Sequence, residues 1–139
     1  MNTFSAFPKQ ILVLVGLLAL SFTSRLSATD SAVANAHMKR GDYAAAYREY
    51  RGLAEVGYPD YQNQVAAMHA AGQSVTINKV LAHVWYTLSA SQGSQDAIQA
   101  KIVLERELSS EQLARSKELA KRYAAEYVAP YRPPSWSLD

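Results

Sequence analysis

Residues 77–97, INKVLAHVWYTLSASQGSQDA, are the stretch on which the prediction of the fold depends. Its apolar residues recur at intervals of three and four, at Ile77, Val80, Leu81, Val84, Trp85 and Leu88. This spacing predicts an amphipathic α-helix. Gly93 follows the last turn, at the place where a residue in the left-handed conformation commonly ends a helix. We therefore predict one helix that ends just before Gly93.

The same pattern occurs thirty-six residues earlier in GDYAAAYREYRGLAEVGYPDY, residues 41–61. Alignment of the two segments pairs identical residues: Ala46 with Ala82, Tyr50 with Tyr86, Ala54 with Ala90, Gly57 with Gly93, and Asp60 with Asp96. A fixed period of this length is typical of solenoids built from helix pairs. The aligned alanines, tyrosines and glycines, together with Trp85, are therefore predicted to hold the repeats together.

The rest of the chain predicts further helices, over residues 31–40, 61–71, 94–108 and from Ser109 to about 128. The first of these has Val33, Ala36 and Met38 on one side. Residues suited to capping helix starts occur at Asp30, Asp42, Asp60, Asn78, Ser94, and at Ser109 with Gln112 as a capping box. No segment alternates as a strand does. The predicted fold is all-α, a short α/α superhelical solenoid of about six antiparallel helices over residues 29–128.

The N-terminal residues 1–28 have the pattern of a secretory signal peptide. Lys9 supplies the positive charge that precedes the apolar region of a signal peptide. Residues 11–22 form an uncharged, mostly apolar run that is too short to span a bilayer. We expect cleavage after Ala28; cleavage after Ala34 and an uncleaved N-terminal anchor are the alternatives. After cleavage the chain would have no stable membrane span and would be periplasmic or secreted.

Charge and cysteine content exclude several classes of function. Removal of Lys9 and Arg25 with the signal peptide leaves twelve of the fourteen basic residues against twelve acidic ones, so the mature chain is close to neutral. A neutral chain lacks the basic character typical of nucleic-acid-binding proteins. The chain has no cysteine, which excludes disulfides, thiol catalysis, thiolate metal sites and a lipid-modified N-terminal cysteine.

Residues 30–123 resemble the Sel-like repeat family, relatives of the tetratricopeptide repeats. The resemblance rests on the loop Gly72-Gln73-Ser74-Val75 and on a helix with Asn78, Ala82, Trp85-Tyr86, Ala90 and Gly93 at the family's positions. The sequence departs from the family pattern in the first helix of this repeat, in the loop and in the second helix, at Tyr61, Val65, Ala66, His69, Ser74, Asn78 and Ser89. The family usually has Tyr in place of His69 and Ala in place of Ser89. The resemblance implies a right-handed stack of antiparallel helix pairs, with a concave face that holds proteins or peptides.

Candidate catalytic and metal-binding residues do not form a recognisable motif. The histidines, His37, His69 and His83, lack the spacing of a metal site, and we interpret His69 as a hydrogen-bonded residue between helices. No serine lies in a motif of a known nucleophile. Glu105 and Glu107 are two residues apart on one helix and point in different directions. We therefore predict no catalytic residue, no metal site and no cofactor.

The aromatic residues allow two interpretations, as part of the core or as part of an interface. Tyr43, Tyr47 and Tyr50 share one helical face, which is typical of a core, although tyrosines are also common at interfaces. Pro130, Pro133 and Pro134 predict an extended tail over residues 129–139. The tail carries Trp136, which would either remain uncovered or dock into the concave face.

The predicted function is a non-enzymatic module that binds a protein or peptide in the exported compartment. Asn63, Gln64, His69 and Trp136 are the predicted partner contacts. One alternative is a hydrolase, or the accessory of an enzyme, that acts on cell-wall material. Another is a membrane-tethered structural subunit of an envelope assembly. Because stable solenoids usually need three or more repeats, this short array requires either capping helices or self-association.

Overall fold

Short turns join six α-helices in residues 31–131, the part of the chain that a computed structural model describes. α1 covers residues 31–39, and the others are α2 (Tyr43–Glu55), α3 (Pro59–Ala71), α4 (Lys79–Ser91), α5 (Gln95–Glu107) and α6 (Ser110–Tyr123). A π-helical turn (Ala124–Val128) and a 3-10 turn (Ala129–Tyr131) follow α6. Residues 31–131 contain no strand, which confirms the all-α prediction. The predicted signal peptide, Asp30 and Trp136 lie outside the described residues.

Most of the predicted helix caps are confirmed. Side-chain oxygens of Asp42, Asn78 and Ser94 accept hydrogen bonds from backbone N–H groups three residues ahead. Ser109 and Gln112 form the reciprocal capping box. These bonds satisfy N–H groups that have no partner within the helix, and each such cap contributes about 1 kcal/mol to stability. The helix starts are therefore encoded locally.

The predicted cap at Asp60 is wrong. α3 begins one residue earlier, at Pro59, with Tyr58 in the cap position and no side-chain capping bond. Proline suits the first helical position because its fixed φ matches the helix and its missing N–H would have no intrahelical partner there. Asp60 consequently lies within the first turn, where a negative charge interacts favourably with the helix dipole.

α4 is the centre of the fold, because it packs against α3, α5 and α6. Its side chains at Ala82, Val84, Trp85, Tyr86 and Leu88 are all buried. The aligned positions Ala46, Tyr50 and Ala54 in α2 are buried as well, and Ala90 is half-buried. Gly57 and Gly93 end the equivalent helices with φ of 93° and 96°, values that favour glycine. The residues predicted to hold the repeats together therefore lie between helices or in their turns.

Polar side chains form hydrogen bonds that join α3 to its neighbours, α2 and α4. Gln62 is completely buried, and its amide nitrogen donates to the carbonyl of Ala54 at 3.1 Å. Its amide oxygen accepts from the Gln92 side chain at 2.8 Å. Ser89, which departs from the family pattern, donates to the carbonyl of Pro59 at 2.8 Å. This hydrogen bond joins α4 to the first residue of α3, which an alanine could not do.

Several residues at helix ends are more exposed than the sequence pattern predicts. In α1 the buried residue is Ala34, whereas Val33 is 42% exposed. Tyr43 opens α2 and is 41% exposed. Ile77 is 60% exposed because α4 begins only at Lys79, after the cap at Asn78. At these positions the neighbouring helix does not cover the side chain, although the periodicity of the sequence continues.

Helical turns also continue farther along the chain than predicted. The extended tail was expected from Ala129, but residues 129–131 form the 3-10 turn. Pro130 is compatible with this turn because helical residues near an N-terminus need no intrahelical N–H donor. Val128, just before it, is 6% exposed and belongs to the core. No helix between residues 31 and 131 has both the length and the apolar character needed to cross a membrane.

Candidate functional site

The predicted partner contacts on α3 differ in how much of each side chain can reach a partner. Gln64 is exposed, Asn63 is half-buried, and His69 is only 6% exposed. The side-chain oxygen of Asn63 is shielded from solvent and has no hydrogen-bond partner among the described residues. Gln64 is thus the residue of this set whose side chain is available to a partner. Trp136 lies outside the described residues.

His69 connects α3 to α2. Its Nε2 lies 3.1 Å from the Tyr47 hydroxyl, and the two rings meet edge to face with centroids 5.6 Å apart. Burial lowers the pKa of His69, and the nearby Arg51 lowers it further. This geometry confirms the interpretation of His69 as a hydrogen-bonded residue between helices. It leaves little of the side chain for a partner.

The tyrosines divide between core and surface. Tyr50 is 3% exposed, donates to the side chain of Asn35 at 2.8 Å and stacks on Tyr61. Tyr58 meets Tyr61 edge to face and is itself 39% exposed. Of the predicted tyrosine face, Tyr50 is therefore core, Tyr47 is half-buried and Tyr43 is exposed. Tyr58, at the α2–α3 turn, also presents a ring to solvent.

Trp85 is covered by the C-terminal end of the described chain. The Tyr127 ring stacks on the indole at a centroid distance of 5.7 Å and an angle of 12°. Tyr123 meets the same indole at 5.4 Å, and the indole is 2% exposed. Trp85 therefore belongs to the packing of α4 against α6 and the π-helical turn, and it does not form an open ligand cage.

A buried histidine links the three central helices. His83 of α4 is 1% exposed, and its Nδ1 lies 2.9 Å from the hydroxyl oxygen of Ser116 in α6. Its Nε2 lies 3.3 Å from a carboxylate oxygen of Glu105 in α5. Burial lowers the pKa of His83, although the hydrogen bond to Glu105 acts in the opposite direction. Lys101 also contacts Glu105, at 3.2 Å.

Ser116, His83 and Glu105 have the residue types of a catalytic triad, but their setting does not suit nucleophilic catalysis. Ser116 is completely buried, and its hydroxyl also bonds to the carbonyl of Leu113 at 2.9 Å. A substrate cannot reach this oxygen in the described conformation, whereas a nucleophile must lie about 3–3.5 Å from the atom it attacks. Sequence reasoning missed the trio because its members are 22 and 33 residues apart. We interpret it as a structural network.

The other chemical predictions concern carboxylates and metal ions. Glu105 and Glu107 have different partners: Glu105 contacts His83 and Lys101, while Glu107 pairs with Lys79 at 2.8 Å. The two carboxylates therefore do not converge. Within residues 31–131 no group of three or more His, Asp or Glu side chains is placed to hold a metal ion.

An apolar groove lies between α4 and α6. Its volume is about 330 Å³. Its lining residues come from two helices and the start of the π-helical turn: Thr87, Leu88, Ser91, Lys117, Ala120, Lys121 and Ala124. Along α6 the lining positions follow the spacing of a single helix face. The groove thus combines an apolar surface with two lysines, and no feature of the sequence indicated it.

Comparison with known proteins supports the fold. No family profile and no curated protein matches the chain. Among solved structures, the chain matches a protective antigen present in uropathogenic Escherichia coli strains and described as displaying an SLR fold, with a TM-score of 0.61. The two are 21% identical, and the match covers 64% of this chain and 19% of the antigen. The chain therefore has the Sel1-like repeat (SLR) fold, the architecture that the repeat pattern predicted.

Proposed function

We propose that this chain is a non-enzymatic module that binds a protein or peptide partner. The observation that carries the proposal is the SLR fold itself, a stack of helix pairs in which each pair adds exposed helix surface beside the previous one. The buried polar residues His69, His83 and Ser116 are engaged between helices. The surface that remains for function is therefore the exposed side of the helices.

We further propose that the module acts in the exported compartment, either periplasmic or secreted. Residues 1–28 support this, because a positive residue followed by a short apolar run is typical of a signal peptide. Sequencing of the N-terminus of the exported protein tests the proposal. A chain that begins near Thr29 or Asn35 supports a cleaved signal, whereas a chain that still begins at Met1 supports the membrane-tethered alternative.

Site-specific photo-crosslinking from α3 tests the binding function. A photoreactive residue at Gln64, which is exposed, should crosslink one partner reproducibly in the native host. The same residue at Glu49, an exposed position on α2, is the matched control. A product specific to Gln64 supports the proposal. Equal products at both positions, or none at either, would contradict α3 as the binding surface.

A further inference from the structure

The α6 side of the groove consists of two parallel rows of side chains. Ala120 and Ala124 form one row, and Lys117 and Lys121 form the other, with four residues between the members of each row. Residues four apart on a helix are neighbours on its surface, with about 5–6 Å between their Cβ atoms. The sequence Lys-x-x-Ala-Lys-x-x-Ala therefore places a row of cations directly beside a row of small apolar side chains.

The α4 side of the groove adds apolar surface and no charge. Leu88 is buried, and it lines the groove together with Thr87 and Ser91. The Thr87 hydroxyl donates to the carbonyl of His83 at 2.7 Å. The Ser91 hydroxyl donates to the carbonyl of Leu88 at 2.7 Å. Among residues 31–131 no acidic side chain lines the groove, so its charge is positive and comes from α6.

Both lysines are available to a carboxylate from another molecule. Lys117 is exposed and has no ion pair within residues 31–131. Lys121 lies 3.7 Å from a carboxylate oxygen of Glu118, and both of these side chains are largely exposed. An exposed pair of this kind contributes little to stability, so a carboxylate of a partner can take the place of Glu118.

From the two rows on α6 and the uncharged surface of α4, we propose that the groove binds an amphipathic helix of a partner protein. The carboxylates and apolar side chains of this helix follow the same four-residue spacing. A helix of the form Glu-x-x-Leu-Glu-x-x-Leu, antiparallel to α6, places its glutamates over the lysines and its leucines over Ala120 and Ala124. The groove, of about 330 Å³, receives the leucines, as in other complexes in which a helix docks its apolar face into a groove.

Two other occupants fit this groove less well. A second copy of this chain offers no complementary helix, because none of α1 to α6 has two carboxylates four residues apart. A membrane surface is recognised by clusters of about four to eight lysines or arginines, whereas two lysines line the groove. The inference rests on the proposed function, a module that binds a protein or peptide, and it specifies a surface other than α3 and the chemistry of the partner.

Peptide binding to the full chain tests the proposal without a native partner. The probe is a fluorescent peptide of about 16 residues with two Glu-x-x-Leu repeats, held helical by a side-chain crosslink because so short a helix is marginal alone. A scrambled peptide of the same composition and crosslink is the control. Fluorescence anisotropy should show binding of the matched peptide at least about tenfold tighter than that of the control. Equal affinities, or no binding of the matched peptide, would overturn the proposal.

Charge reversal locates the binding surface. The double variant Lys117→Glu, Lys121→Glu should weaken binding of the matched peptide by about tenfold, because it removes and reverses two exposed charge pairs. The double variant Arg115→Glu, Arg122→Glu makes the same charge change at exposed positions of α6 outside the groove. Circular dichroism checks that both variants remain helical. Equal losses in the two variants would overturn the assignment to the groove.

Photo-crosslinking from Ser91, on the exposed rim of the groove, tests the proposal in the native host. Mass spectrometry of the product should identify a partner segment with carboxylates and apolar residues at four-residue intervals. A segment without them, a segment of this chain, or a phospholipid at this position would overturn the proposal. A product at Gln64 with none at Ser91 would overturn the groove inference alone, whereas products at neither position would count against the proposed function as well.

Discussion

At the scale of the residue, Trp85 is a large buried side chain whose contribution to the core can be tested by substitution. It is 2% exposed and packs against Tyr123 and Tyr127. Trp85→Ala should lower the free energy of unfolding by about 3–5 kcal/mol, because it removes a large ring and leaves a cavity. Urea denaturation gives the measurement. Val103→Ala, at a position that is 54% exposed, is the control and should change stability by less than about 0.5 kcal/mol.

Two glycines test the effect of backbone conformation on stability in the absence of any steric clash. An added Cβ would meet no atom within 4 Å at Gly52 or at Gly93, but Gly93 has a φ of 96° and Gly52 lies within α2. Gly93→Ala should therefore destabilise the fold by about 1–2 kcal/mol. Gly52→Ala should stabilise it by about 0.5–1 kcal/mol, because alanine loses less backbone entropy in a helix. Thermal melting of both variants checks the opposite signs; shifts in the same direction would contradict this account.

At the scale of the element, the π-helical turn after α6 closes the core. Tyr127 stacks on Trp85, Val128 is buried, and the turn also packs against α2. Tyr127→Ala should cost about 1–3 kcal/mol, from lost apolar burial and lost ring stacking. Chemical denaturation measures the loss. Tyr43→Ala serves as the comparison, since Tyr43 is 41% exposed; a similar loss there would show that the effect is not specific to the C-terminal turn.

At the scale of the whole molecule, buried histidines in separate parts of the stack make stability depend on pH. Burial lowers the pKa of both His69 and His83 in the folded chain. The unfolded chain binds protons near a pKa of about 6.5, so acidification below this value favours unfolding. The pKa of Glu105 is lowered mainly by its hydrogen bond to His83, which adds a loss of stability at more acidic pH.

We therefore expect the melting temperature to fall as the pH decreases from about 7.5 to about 5.5, across the ordinary histidine pKa. Arg51 beside His69, and Lys101 and Lys117 near His83, act in the same direction because they repel a protonated imidazole. His83→Asn should reduce the pH dependence in this range. A melting temperature that rises on acidification would contradict the assignment of both histidines as preferentially neutral.

Much of the fold could be predicted from local patterns in the chain. The caps at Asp42, Asn78, Ser94 and Ser109 were predictable because each depends on residues within three positions of one another. The exposure of Ile77 was not predictable, because apolar periodicity continues past a helix start without showing where the neighbouring helix ends. Of the predicted partner contacts on α3, Gln64 is exposed whereas His69 is buried against Tyr47, a difference that depends on the rotation of two helices.

The sequence by itself determined the helical class, the thirty-six-residue repeat and the glycine-ended turns, because these follow from periodicity and backbone geometry within one segment. Only the tertiary structure decided that His83 joins Ser116 to Glu105, that Tyr127 covers Trp85, and that α4 and α6 leave a groove between them. These contacts join residues from different helices. They are set by how the helices rotate to fill the core, and that rotation minimises voids over the whole molecule.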